Sequence, residues 1–225
     1  MQIASGEELF ERFASFANLH VERVAEAGSL SEQRPDFLAR SPCGTAFYVE
    51  VKVVTPTAEE ALEIQRWNER GSSSFSTSPG LRMRALISKA NSQLKSMAAE
   101  ELPGVLVVFN PEWHLRAHSS SYSVLTAMRG FDTIPISVPH DPSQSPTFGE
   151  MRSGPKKQMT ETANTSTSAI ICPLQSEAGG WIVQVYHNRF AARPLPVGAM
   201  GGNGIKNWRI SADEREWEPG DVSAS

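Results

Sequence analysis

The chain has 225 residues, with 21 basic and 25 acidic side chains, a net charge of −4 and 40% hydrophobic content. That length suits one domain with a real core, and the acidic balance leaves any nucleic-acid contact to local patches. No apolar run approaches the roughly 18 residues that span a bilayer, and the N-terminus lacks a basic-then-apolar leader. Cys43 and Cys172 are too few for a disulfide framework. The expectation is a cytoplasmic protein with reduced thiols and no membrane partner.

Residues 6–18 carry Leu9, Phe10, Phe13, Phe16 and Ala17 on one stripe, which predicts an amphipathic helix. Ser5 stands at its N-cap, and Glu7, Glu8 and Glu11 suit the positive end of its dipole. Residues 20–25 predict a short strand and 28–33 a polar loop.

Residues 34–54, RPDFLARSPCGTAFYVEVKVV, are the stretch around which the rest is arranged. Phe37, Leu38 and Ala39 lead into a turn made by Pro42, Gly44 and Thr45, and positions 47–54 alternate as a half-buried strand does. Phe47, Val49, Val51 and Val53 share one face; Tyr48, Glu50, Lys52 and Val54 share the other. A turn centred on Cys43 sets Asp36 opposite Glu50, with Cβ atoms about 5 Å apart. Two carboxylates at that separation repel, and a shared divalent cation with Lys52 beside it is the chemistry that would hold them together.

Residues 57–70 predict a helix, and the serine-rich stretch 71–79 a loop that could close over a substrate. Residues 81–99 place Met83, Leu86, Ile87, Ala90, Leu94, Met97 and Ala98 on one stripe. Arg82, Lys89 and Gln93 line one edge of it, and Arg84, Asn91 and Lys95 the other, with no acid between positions 82 and 95. A basic-edged helix of that kind suits phosphate contacts, which makes Arg82, Lys89 and Lys95 candidate nucleic-acid ligands.

The run GVLVVF at 104–109 reads as a buried central strand. A short helix follows at 122–129, then a proline-marked edge segment at 131–138. Residues 140–167 predict a long flexible loop, 168–174 with 181–187 a pair of strands, and 191–225 a turn-rich tail after a single domain at 1–190. His114 and His118, spaced i, i+4 with no third ligand nearby, read as surface histidines, and GAMGGNGIK at 198–206 does not fit a phosphate-binding loop.

Pro35-Asp36 followed by Glu50-x-Lys52 resembles the signature of the PD-(D/E)XK nuclease superfamily, metal-dependent phosphodiesterases of the restriction-endonuclease-like fold. The resemblance covers about the first 110 residues. It implies an α/β fold with a mixed central sheet flanked by helices. It further implies an Mg²⁺-dependent endodeoxyribonuclease, with Mn²⁺ as a substitute cation, DNA ahead of RNA as partner, and a homodimer as one assembly to consider.

Asp36, Glu50 and the carbonyl of Val51 would hold the cation, and Lys52 would orient the attacking water. Such nucleases also place a Gln or a basic residue from the following helix beside the centre, which points to Gln93 and then Lys89. Position 97, where some of them carry Tyr, is Met97. Their first helix often supplies a further carboxylate, and Glu11 is the candidate. A second reading from another class keeps the fold as a non-cleaving nucleic-acid-binding or assembly module.

Overall fold

A computed structural model describes residues 4–25, 34–72, 74, 78–141, 143–150, 152–153, 156–176, 179–211 and 216–220. In chain order the elements are α1 (Gly6–Phe16), β1 (His20–Arg23), β2 (Phe37–Arg40), β3 (Ala46–Val53), α2 (Ala58–Arg70), α3 (Leu81–Lys95) and β4 (Gly104–Phe109). A 3-10 segment at Trp113–Ser119 leads into α4 (Ser121–Arg129). Four two-residue strands follow, β5 (Asp132–Thr133), β6 (Ile136–Ser137), β7 (Thr147–Phe148) and β8 (Arg152–Ser153). The chain ends on β9 (Ala169–Gln175), β10 (Trp181–His187), β11 (Ile205–Ile210) and β12 (Trp217–Pro219).

The fold is mixed α/β. One eight-stranded sheet runs in the order β1-β2-β3-β4-β9-β10-β11-β12. β3, β4 and β9 are parallel neighbours at its centre, and β1-β2-β3 form an antiparallel flank. All six residues of β4 are buried, as its unbroken apolar run requires of a strand covered on both faces.

The alternation in β3 divides the core in two. Phe47, Val49 and Val51 pack with Phe10 and Phe13 of α1 and with Trp181 on one face. Val54, Leu106 and Val108 pack with Met83 and Ile87 of α3 and with Val124 and Met128 of α4 on the other. Aromatic edges tie α1 to the sheet, with Phe10 4.7 Å from Phe37 and Phe13 5.9 Å from Trp181 between ring centres. Both α1 and α2 begin on complete capping boxes, Ser5 with Glu8 and Thr57 with Glu60.

Three expectations need correction or narrowing. The folded unit does not end near residue 190, because β11 pairs with β10 and β12 with β11 in the same sheet. Its strands are half-exposed and polar, IKNWRI, behind a glycine-rich turn, so no apolar run marks them. Residues 140–167 are not one featureless loop either. β7 and β8 ladder back onto β6 and β5, and Met159, 2% exposed, plugs the α4 side of the core. The serine-rich stretch after α2 lies in part outside the described residues. Among the described residues no helix is long and apolar enough to cross a membrane.

Gly104 opens β4 where the backbone passes close to its neighbours. A Cβ there would press into the Ser166 carbonyl oxygen and meet the Leu94 side chain at 3.2 Å. Gly104→Ala is therefore expected to cost about 1–3 kcal/mol. In thermal unfolding that corresponds to roughly 2–4 °C of Tm per kcal/mol, and an unchanged Tm would refute the close approach.

Candidate active site

The site is built at the end of the β2–β3 ladder. The turn at its other end has Ser41 N–H donating to Thr45 O at 2.9 Å and Gly44 N–H to Ser41 O at 2.9 Å, with Gly44 at φ +87°. This turn, with glycine in the left-handed position, locks the pairing as Ala39 with Phe47 and Phe37 with Val49. Continuing by one residue sets Asp36 against Glu50, as the sequence predicts. One residue further, Val51 faces Pro35, which has no N–H to give. The Val51 carbonyl is thus left without its ladder donor and the ladder stops there, while the Val51 N–H donates to Asp36 Oδ2 at 2.7 Å.

Glu50 points to the α3 face and is fully buried. One of its oxygens, Oε1, accepts from the Lys52 ammonium. The other, Oε2, is buried with no hydrogen-bond partner. The Lys52 side chain is 16% exposed and also donates to Gln93 Oε1 at 3.1 Å, while Gln93 Nε2 donates to the Arg34 carbonyl at 3.4 Å. Gln93 is thereby held with its acceptor toward Lys52. Asp36, Glu50, Lys52 and Gln93 converge on one place.

Electrostatics follow from that burial. Desolvation pushes the Glu50 carboxyl up to about 7; the bond from Lys52 opposes the shift and the charge of Asp36 adds to it. Asp36 is also raised by burial, against the Val51 N–H and the Lys52 charge, and Glu7 raises it further.

The other predicted positions fall elsewhere. Glu11 pairs with Arg23 on β1, with Nη2 to Oε1 at 2.7 Å. The first-helix carboxylate whose charge acts on Asp36 is Glu7, one turn earlier. The first turn of α1 lies on β3, where a Cβ at Gly6 would meet the methyls of Val51 and Val53 at 3.3 Å. That helical phase relative to β3 is the signal that separates Glu7 from Glu11.

Arg82 is committed to structure. It donates to the Thr55 carbonyl at 2.8 Å and pairs with Glu60, which also holds His118 at 2.9 Å. It stands about 16 Å along α3 from Gln93, at 1.5 Å per residue. Lys89 and Lys95 are exposed on α3, and Lys89 lies one turn before Gln93. His118 is buried rather than on the surface, and His114 stacks on Trp113 with ring centres 3.9 Å apart.

The donors fit a hard divalent cation. The partnerless Oε2 of Glu50, the second oxygen of Asp36 and the Val51 carbonyl that Pro35 cannot bond are all oxygen ligands, and water completes such a shell. Among the described residues no group of three or more His, Cys, Asp or Glu side chains stands at metal-holding spacing, so the set rests on two carboxylates and main chain. Comparison with protein-family models, with curated proteins and with solved structures finds no match.

A carboxyl whose pKa is raised on folding contributes stability that is present below its unfolded value and lost as pH climbs through the folded one. Between about pH 4.5 and 7 the metal-free protein should lose stability through Glu50. Glu50→Gln should flatten this part of the Tm-against-pH curve and raise Tm above wild type at pH 8, with little difference at pH 5. Added Mg²⁺ should raise the wild-type Tm at pH 8 and leave the variant unmoved. Parallel curves for the two proteins would contradict the burial of this charge.

Proposed function

We propose that the chain is a divalent-cation-dependent nuclease of the PD-(D/E)XK type, an Mg²⁺-dependent hydrolase of phosphodiesters in nucleic acid, DNA before RNA. One observation carries the reading: a fully buried carboxylate with one orphaned oxygen lies in register with a second carboxylate, and a lysine bridges it to a glutamine. A purely structural ion pair gains nothing from a second acid at that point, since like charges across a ladder are destabilising.

Asp36, Glu50 and the Val51 carbonyl would hold the cation, Mg²⁺ or Mn²⁺. Bound there, the cation supplies charge stabilisation at the scissile phosphate and a more acidic water. The remaining work belongs to the chain. Lys52, anchored between Glu50 and Gln93, presents its remaining N–H donor capacity to the attacking water or a phosphate oxygen, where negative charge gathers. Gln93 touches Lys52, so it acts as a positioning residue through the ammonium. Asp36 would do double duty, since it also accepts from the Val51 N–H. Lys89 and Lys95, both exposed on α3, would meet backbone phosphates. Arg82 enters only through the rigidity it gives to α2 and α3.

Cleavage of linear, supercoiled and single-stranded DNA and of RNA, with Mg²⁺, Mn²⁺ or EDTA, tests this directly. Glu50→Gln, Asp36→Asn and Lys52→Ala are each expected to lower the rate by about 100-fold or more. Gln93→Ala should cost about 10- to 100-fold, with Lys52→Arg failing to substitute for lysine. Binding without cutting under every metal condition would replace this reading with the non-cleaving module.

The two first-helix acids give a separate prediction. Glu7→Gln should change the rate or the Mg²⁺ dependence by several-fold because its charge reaches Asp36, whereas Glu11→Gln should leave both near wild type. The reverse order would restore Glu11 as the relevant carboxylate.

A further inference from the structure

A cleft of about 410 Å³ opens on the same sheet face as Glu50 and Lys52, between the 3-10 segment, the start of α4 and strands β9 to β11. That volume is within the range of small-molecule sites. No acidic residue lines it, although the chain as a whole is acidic. Arg116 and Lys206 both do, both are exposed, and neither has an ion pair among the described residues.

The amino end of a nine-residue helix, α4, lines the same cleft through Ser120 and Ser121. Ser120 caps α4, its hydroxyl accepting from Ser123 N–H at 3.2 Å, and Val124 N–H closes on Ser120 O at 3.0 Å. An α-helix leaves its first N–H groups without intrahelical partners, and in α4 the Ser120 hydroxyl takes up only that of Ser123 by capping. Ser121 is held in place, its hydroxyl 2.9 Å from the Tyr186 hydroxyl and its carbonyl accepting from Trp217 Nε1 at 3.0 Å. A fixed helix amino end that shares a cleft with a guanidinium and an ammonium is a setting for a phosphate group.

Two further features constrain what the phosphate is attached to. Asn110 lines the cleft at 5% exposure. Its Nδ2 donates to Leu115 O at 2.7 Å and to Ser119 Oγ at 3.0 Å, which fixes the amide and leaves Oδ1 buried with no partner. An acceptor so placed calls for a ligand hydroxyl or amino group. On the sheet wall that also carries Lys206, Pro173, Leu174 and the half-exposed Ile182 form an apolar surface beside Trp208, whose indole N–H is held by Gln184.

We propose that this cleft binds a nucleoside monophosphate unit, with the phosphate at Arg116, Lys206 and the start of α4 and the nucleoside against Ile182 and Trp208. The unit is either a free nucleotide or the phosphorylated end of a strand. The cleft shares no residue with the Asp36–Glu50–Lys52 centre, so the inference stands or falls independently of cleavage.

The test uses the full chain in EDTA, titrated with AMP, GMP, CMP, UMP, adenosine and inorganic phosphate, and with a short oligonucleotide bearing a 5′-phosphate or a 5′-hydroxyl. Calorimetry and tryptophan fluorescence are read together. At least one monophosphate or the 5′-phosphorylated strand should bind saturably and perturb the fluorescence, and loss of its phosphate should weaken binding about 10-fold or more. Binding of the mononucleotide identifies a free-nucleotide site, and binding of the phosphorylated strand alone identifies a strand-end site. Arg116→Ala and Lys206→Ala should each weaken it about 10-fold with Tm unchanged, since both side chains are exposed, while Asp36→Asn should leave it intact. Absence of saturable binding for every probe, or full affinity in the Arg116→Ala/Lys206→Ala double variant, would overturn the proposal.

Discussion

The register of one hairpin decides everything that the candidate centre can be. Strand side chains alternate, so slipping β3 by one residue against β2 would send Glu50 and Lys52 among Phe10, Phe13 and Trp181 and bring valines to the α3 side. Two devices prevent that slip. At one end the turn with Gly44 in the left-handed region admits a single pairing. At the other end Pro35 cannot continue the ladder, so the strand pair must end where Asp36 turns its carboxylate to the Val51 amide. The proline and the acid are thus one structural unit. The first ends the ladder by withholding an N–H, and the second accepts from the Val51 N–H at the same point.

Much of this was legible because strand periodicity is a strong local signal. The opposition of Asp36 and Glu50, the burial of residues 104–109 and the apolar stripe of α3 follow from spacing alone. Gln93 was legible for a different reason. It lies on the edge of that stripe, and the resemblance to nucleases that place a Gln of the following helix beside their centre singled it out; in the structure its Oε1 accepts from Lys52.

What was hidden depends on tertiary phase. Glu7 and Glu11 lie one turn apart on α1 and look equivalent in one dimension. Which of them acts on Asp36 depends on where the helix crosses β3, and Gly6 over Val51 and Val53 sets that crossing. Arg82 looked like a phosphate ligand because its partner Glu60 is 22 positions away, on a separate helix. The same glutamate takes His118 out of solvent. α2 shows the opposite error. Its apolar positions suggest a packed face, yet none of its residues is buried and Leu62 is 56% exposed, so the helix is held by its capping box, by Glu60 and by Trp67 against Trp113 and His114. β11 and β12 escaped notice because a half-exposed strand ending a sheet needs little hydrophobic sequence.

A functional centre and an ornamental ion pair differ in what they do to stability. Replacing a buried salt bridge by apolar residues is often neutral or stabilising, while a buried charge lacking part of its bonding costs several kcal/mol. Glu50 is in that second condition, with one oxygen on Lys52 and the other on nothing. Its surroundings are a sheet whose central inward positions are chiefly apolar, so a hydrophobic residue at position 50 would suit the fold better. Half-satisfied polar networks of this kind are the places where sequence departs from what packing alone favours. The departure extends to Lys52 and Asp36, and each offsets part of the cost of its neighbour without removing it. An added positive charge with room for oxygen ligands would complete the set, which is why the unsatisfied oxygen, rather than the motif letters, supports the metal-dependent reading most directly.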